Sequence, residues 1–380
     1  MKRYFEEIIR KDSDQKPILI SGPRQCGKTT LAKNLFNQST YLSYDEARDR
    51  EAIIEKQWRR DAEAIIFDEL HKMKEWKRWL KGLYDTEGNR PRLIVTGSAN
   101  METFTKVGDS MAGRYFPFRL HPIDVREAVE LGGCTPSEAV NRLLSLGGFP
   151  EPFLNGSETF YRRWRRTHLD IILRQDFVDL SAVRNLKSME VLIELATHRI
   201  GSPFSYSSLA TDLQLDPKTV KSWLMLLQNF YLMFSITPYH RNIARAILKE
   251  PKFYFFDIPR AVDNGAKLEN LVACSLLKAC HFLEDTEGLK ARLHYLRTRD
   301  GQELDFLIAI EDEPLICFEI KRSDHSPSKH FDFFECALKV KHKYQLVLNN
   351  SREFDTQSGV KVRNLGIFLS TFELSKFIQP

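Results

Sequence analysis

At 380 residues the chain exceeds the roughly 100 to 200 residues of a typical domain, so its length calls for two or three domains. With 42% hydrophobic and 28% charged residues and no polar low-complexity tract, it has apolar material for several cores, which excludes an intrinsically disordered protein. Its 56 Lys and Arg against 51 Asp and Glu leave a net charge of +5, which argues against a histone-like polycation yet permits local basic patches.

The first sixteen residues carry charges throughout and lack the apolar stretch of a signal peptide, and no later segment approaches the roughly 20 apolar residues of a membrane span. A cytoplasmic location without membrane partners is expected. The cysteines at 26, 134, 274, 280, 317 and 336 form no CxxC pair and read as reduced, mostly core residues rather than a disulfide or zinc framework.

Residues 1–130 alternate short apolar runs with amphipathic stretches, the pattern of a parallel sheet with crossover helices. Strands are predicted at 17–21, 40–44, 64–68, 92–97 and 115–120, with helical spacing at 28–37 and 75–84. The first strand runs into Gly22, Pro23, Arg24, Gln25, Cys26, Gly27, Lys28, Thr29 and Thr30, a full match to GxxxxGK[ST]. Glycines let such a loop wrap so that backbone N–H groups and the following helix terminus face phosphate oxygens. Lys28 would add a point charge and Thr29 a magnesium ligand, making ATP and Mg²⁺ the expected ligands. Cys26, inside the loop, reads as a tolerated small side chain.

The third strand ends in Asp68 and Glu69. A magnesium nucleotide site needs one carboxylate for the hydrated metal, here Asp68, and a second, Glu69, to orient and deprotonate water. Ser98 and Asn100 follow the fourth strand, where a hydroxyl or amide could hold that water or the γ-phosphate. Arg114, just before the fifth strand, could neutralise charge on the transferred phosphate from its own chain or from a second copy, the latter requiring at least a dimer.

Residues 131–200 turn helical, with Gly and Pro punctuation at 131–133 and 146–153, and read as a lid or connector. Within them Arg162, Arg163, Arg165, Arg166 and Arg174 surround Trp164. The arginines could engage phosphates while the indole stacks on a base, or the indole could lie in the core with the arginines in water. Residues 201–261 have the spacing of a winged helix-turn-helix, with Lys218, Thr219, Lys221 and Ser222 outward and Val220, Trp223, Leu224 and Leu227 inward.

From 262 the order resets to αβββαβ, a long helix and three strands followed by a helix near 328–339 and a strand at 343–349, with one more strand expected at 365–371. Strict alternation puts Glu303 and Asp305 on one face of a strand, and Glu319 and Lys321 on one face of the next. Carboxylates can hold magnesium against a scissile phosphate, and a lysine can position water and offset charge. The preceding helix offers Glu269 as a further carboxylate. Asp305 followed by Glu319-x-Lys321 resembles the PD-(D/E)XK nuclease pattern, which implies a restriction-endonuclease-like fold for residues 262–380. The bland alternative is a solvated sheet face.

The segments GPRQCGKTT, IIFDELHK, IVTGSAN, SMAGRYF, LHPIDVREA and GGFPEPF together resemble prokaryotic AAA-type ATPases that carry a C-terminal domain of unknown function. The resemblance implies Lys28 and Thr29 as Walker A, Asp68 and Glu69 as Walker B, Ser98 as sensor and Arg114 as the finger. The expected fold is therefore α/β throughout: a P-loop parallel sheet, a helical and winged-helix middle, and a second α/β domain. The expected function is an ATPase whose nucleotide state controls a nuclease-like or DNA-binding module. The alternative is an ATP-driven switch or scaffold whose last domain only binds protein or nucleic acid. A small-molecule kinase shares the loop, but Asp68–Glu69 suits activation of water instead.

Overall fold

The computed structural model describes residues 3–98, 111, 113–176, 185–240, 250–298, 300–323, 326–350 and 352–378. Asn100 lies outside them. The chain divides into two compact units, Met1–Pro122 with Asn229–Tyr231, and Ile123–Gln228 with Leu232–Pro380. Among the described residues no helix is long and apolar enough to cross a membrane.

The first unit opens with helix α1 (Glu6–Asp12) and strand β1 (Ile18–Ser21), followed by α2 (Lys28–Leu35), β2 (Ser39–Ser43), α3 (Ala47–Ile54) and β3 (Ala64–Asp68). It continues through α4 (Trp76–Glu87), β4 (Arg92–Gly97) and β5 (Phe116–Arg119). All five expected strands form, and they pair in parallel in the order β2-β3-β4-β1-β5. Every residue of β1 and β3 is buried, as befits strands covered on both faces. One face packs Ile65, Phe67 and Val95 against Leu80 and Leu83 of α4, with Phe67 edge-on to Trp79 at 5.4 Å. After β1 the chain builds β2, β3 and β4 to one side and β5 to the other. The carboxyl end of β1 is thus the switch point at which open parallel sheets form ligand crevices.

The second unit begins with α5 (Val125–Gly132), α6 (Pro136–Leu146), α7 (Pro150–Asn155), α8 (Glu158–Ile171), α9 (Leu186–Thr197), α10 (Tyr206–Leu213) and α11 (Pro217–Asn229). Thr135 and Glu138 close a reciprocal capping box at the start of α6. On α8, Trp164 is buried and stacks on His168 at 4.6 Å, while Arg162, Arg163, Arg165 and Arg166 are exposed. The indole is therefore core, not a stacking platform. On α11, Val220, Trp223, Leu224 and Leu227 face inward while Lys218, Lys221 and Ser222 are exposed.

Strands β6 (Met233–Pro238) and β7 (Lys252–Phe255) pair antiparallel. Then come α12 (Asn264–Glu287), β8 (Ala291–Arg297), β9 (Glu303–Ile310), β10 (Glu313–Lys321), α13 (His330–Leu338), β11 (His342–Val347), β12 (Phe354–Asp355), β13 (Val360–Asn364) and α14 (Leu365–Thr371). The αβββαβ order from α12 to β11 is as expected. All eight strands form one mixed sheet, β12-β13-β11-β10-β9-β8-β6-β7, so the β6–β7 pair is continuous with the strands that follow α12.

One expected strand is a helix. Residues 365–371 form α14, because Asn364 caps it by accepting from the Ile367 N–H at 3.1 Å, an interaction worth about 1 kcal/mol. Leu365 and Leu369, four apart, are buried together, while Ile367 is 54% exposed, which is helical rather than alternating burial. Gly366 lets this helix approach Pro136, whose carbonyl oxygen would lie 3.1 Å from any Cβ.

Candidate functional site

In the first unit the site grows from the end of β1. Gly22 has φ +151°, and a Cβ there would fall 2.2 Å from the Leu120 carbonyl oxygen, so no other residue fits. Gln25 takes the left-handed region at φ 63° and Gly27, at φ 97°, caps α2. Cys26 is fully buried and donates its S–H to the Leu120 oxygen at 3.4 Å. Arg3, also buried, donates to the carbonyls of Cys26, at 3.1 Å, and His121. Arg24 is half-buried, whereas Gln25 and Thr30 are exposed. Lys28 donates to the carbonyls of Gly22 at 2.9 Å and Pro23 at 2.7 Å, which pins its ammonium across the loop.

Below the loop, Asp68 is ringed by hydroxyls. Thr29 and Tyr41 each donate to Oδ2 at 2.8 Å, and Thr96 donates to Oδ1. The parallel register brings this about, since Asp68 lies beside Ser43 of β2 and Thr96 of β4. Burial and the bond to Asp68 push the Tyr41 phenol far above its ordinary range, so it remains a donor. Glu69 turns out of β3 with φ 54°, and its Oε2 accepts from Ser98 at 3.0 Å. His71 Nδ1 lies 3.7 Å from the same oxygen. Burial holds the His71 pKa below the usual imidazole value despite the Glu69 charge, which keeps the ring neutral at physiological pH.

Thus Thr29 meets Asp68, and Glu69 meets Ser98. Arg114 instead donates from Nε to Asp85 of α4 at 3.0 Å. Tyr41, Thr96 and His71 were not singled out from the sequence. Only His71, two residues beyond Glu69, carried a local signal.

The second unit holds another acidic centre. Asp305 accepts at Oδ2 from the Ile320 N–H at 2.7 Å, and Lys321 lies 2.6 Å from Glu319 Oε1. Phe306 pairs with Phe318, so Asp305 and Glu319 are the next residues along two neighbouring strands. Burial foremost, then Glu269 and Glu319, raise the Asp305 pKa well above the carboxylate range. Burial also raises that of Glu319, against the pull of Lys321. Glu269 of α12 accepts from Tyr254 at 2.6 Å and lies 3.2 Å from Lys252. Lys252 in turn lies 2.5 Å from Glu303. Burial works against the Lys252 charge, but Glu269 and Glu303 outweigh it and hold its pKa above the ordinary lysine value. Lys252, Tyr254 and Glu303 were not assigned to this site from the sequence.

Among the described residues no group of three or more His, Cys, Asp or Glu side chains is arranged to hold a metal ion. Both centres nevertheless offer hard oxygen donors, Thr29 with Asp68 and Asp305 with Glu319. These suit magnesium, which commonly takes one or two carboxylates and completes its shell with water and phosphate oxygens.

Comparison with known proteins divides the chain in three. Residues 14–129 match the family model described as AAA domain. Residues 137–259 and 264–368 match two models described as domains of unknown function, DUF8612 and DUF4143. The uncharacterized protein Rv2008c of Mycobacterium tuberculosis is 26% identical over 337 residues, covering 83% of this chain and 72% of that protein. The uncharacterized protein MJ1544 of Methanocaldococcus jannaschii is 22% identical over 376 residues, covering 88% and 82%. Among solved structures, a signal transduction ATPase with numerous domains and a tetratricopeptide repeat sensor, from Pyrococcus horikoshii, aligns with a TM-score of 0.30 and 14% identity over 75% of this chain. The aligned part spans 48%, about half, of that structure. The chain is therefore similar to AAA domains over residues 14–129 and to two domains of unknown function over most of the remainder.

Proposed function

We propose that the chain is an ATPase whose nucleotide state controls a nuclease-like centre acting on DNA. The observation that carries the first half is the Thr29–Asp68 hydrogen bond beneath a complete phosphate loop, with the Glu69–Ser98 pair beside it. In this reading the backbone N–H groups of 22–30 cradle the phosphates, and Lys28 exchanges its two loop carbonyls for phosphate oxygens. Thr29 and Asp68 would hold magnesium, which supplies charge neutralisation on the phosphate oxygens. Tyr41 and Thr96 keep Asp68 aimed. Glu69, steadied by Ser98, accepts the proton of the attacking water, and neutral His71 limits where that carboxylate can swing. Arg114 would have to leave Asp85 to serve the phosphate, or act from a second copy.

The second half rests on Asp305, Glu319 and Lys321 on adjacent strands, with Glu269 as accessory carboxylate. Asp305 and Glu319 would hold a divalent cation and Lys321 would position water. The α10–α11 pair with β6–β7 is read as a winged helix whose Lys218, Lys221 and Ser222 face DNA phosphates. A second reading, binding without cleavage, is favoured by one observation, the neutralisation of Glu269 and Glu303 by Lys252.

The test is phosphate release from ATP together with cleavage of linear and circular DNA under Mg²⁺ or Mn²⁺. Wild-type hydrolysis that Lys28→Ala removes is expected, as is cleavage that both Asp305→Ala and Lys321→Ala remove. No hydrolysis by the wild type overturns the ATPase half. Hydrolysis without cleavage under either metal selects the binding-only reading.

A further inference from the structure

Strand β7 reads KFYF and is buried along its whole length, yet it opens with a lysine. Lys252 is 1% exposed, so its ammonium cannot be hydrated and must be matched inside the protein. Its partners are Glu269 Oε1 at 3.2 Å and Glu303 Oε1 at 2.5 Å. Other groups also meet those two carboxylates. Tyr254, two residues along β7, donates to the same Glu269 oxygen at 2.6 Å. Glu269 Oε2 lies against Gly201, where a Cβ would fall only 2.8 Å away, and Glu303 Oε2 is held by Arg297 at 3.1 Å.

Glu319 is different. It is 5% exposed, Lys321 engages its Oε1, and its Oε2 is buried with no hydrogen-bond partner. A buried carboxylate oxygen left unmatched is a demand for a ligand, and Asp305 is the neighbouring acid on β9.

We infer that Lys252 is a resident cation that permanently occupies Glu269 and Glu303, so that the acidic centre of the second unit accepts a single divalent cation, between Asp305 and Glu319. A second divalent ion would have to compete with a buried ammonium for oxygens already bonded, and would face its charge at short range. Lys252 itself is too deeply buried to touch a substrate, so it acts through the carboxylates as a positioning residue. The inference rests on the metal-holding role given to Asp305 and Glu319 above.

The experiment is a titration of the full-length chain with Mn²⁺, free ion being read by electron paramagnetic resonance. Nucleotide is omitted and Thr29→Ala with Asp68→Asn is present in every sample so that neither proposed metal ligand of the phosphate site remains. One ion per chain is expected. Glu319→Gln should weaken it by more than the roughly 10- to 100-fold typical of outer-shell partners, whereas Glu269→Gln should weaken it far less. Lys252→Met, if it folds, should admit a second ion that Glu269→Gln then removes. Two ions in the chain that retains Lys252, or equal losses in the Glu269 and Glu319 variants, would overturn the inference, and the glutamine variants decide it even if Lys252→Met does not fold. No ion at all overturns both it and the metal-holding role beneath it. One ion with the expected residue dependence but no DNA cleavage upholds the inference while removing the nuclease reading.

Discussion

The two acidic centres are built on opposite electrostatic plans. Asp68 is surrounded by hydroxyls of Thr29, Tyr41 and Thr96, neutral donors that aim a carboxylate without cancelling its charge. Asp305 and Glu319 sit among other carboxylates, and the balance comes from the ammonium groups of Lys321 and Lys252. A hydroxyl ring leaves the carboxylate without a cationic partner, which suits the exchangeable cation proposed for it. Lysines reduce that attraction and fix how many cations the site can take. The identity of the acid is the same in both places, and the counter-group decides what the acid can do.

The sharpest way to break this contrast is Glu69→Gln. On the role proposed for Glu69, this should slow ATP hydrolysis by about 10²- to 10⁴-fold while ATP still binds, measured by phosphate release and by equilibrium nucleotide binding. Unimpaired hydrolysis would mean that the hydroxyl-ringed centre does not use Glu69 on water.

Next in size is the loss of one donor from the ring. Tyr41→Phe should raise the Mg²⁺ concentration needed for half-maximal hydrolysis by roughly tenfold, the low end of what outer-shell partners contribute. An unchanged magnesium dependence would show that the phenol only fills space.

The charge-balanced centre carries a pH signature of the other sign from an ordinary salt bridge. Asp305 and Glu319 have raised pKa values, so the folded chain binds more protons than the unfolded one between the ordinary carboxylate range and the raised values. Their contribution to stability is therefore fully present at acid pH and lost as pH rises through that window. In chelator, Glu319→Gln should resist chemical denaturation better than wild type at neutral pH, with the difference shrinking toward acid. A variant that resists it less well at neutral pH would mean that the carboxylate is stabilised as a charge.

A final prediction separates two glycines. A side chain at Gly22 would meet backbone, whereas one at Gly201 would meet the carboxylate end of Glu269. Gly201→Ala should fold and lose only the roughly 1–2 kcal/mol of a left-handed residue, by chemical denaturation. A larger loss would show that Glu269 is locked in place.

The five parallel strands were legible because buried parallel strands are continuous apolar runs, and the phosphate loop because its glycines answer to backbone geometry. The hydroxyl ring was not, since Tyr41 and Thr96 become neighbours of Asp68 only once three strands are in register. Alternation located Asp305, Glu319 and Lys321, but misread 365–371, where apolar residues at every second position hid a helix cap at Asn364. Lys252 left a trace that could have been followed. A lysine opening the run KFYFF, in a strand with no polar face, demands a buried acid somewhere in the chain.

The phosphate loop lies near the amino terminus, but the groups that shape it do not. Gly22 and Cys26 both close against Leu120, and Arg3 reaches His121. A chain emerging from the ribosome therefore carries the whole GxxxxGK[ST] motif long before that motif can take its final shape. Nucleotide binding should appear only when the strand at 116–119 and the two residues after it have been made and docked, so ATP can stabilise the folded unit but cannot template its early steps.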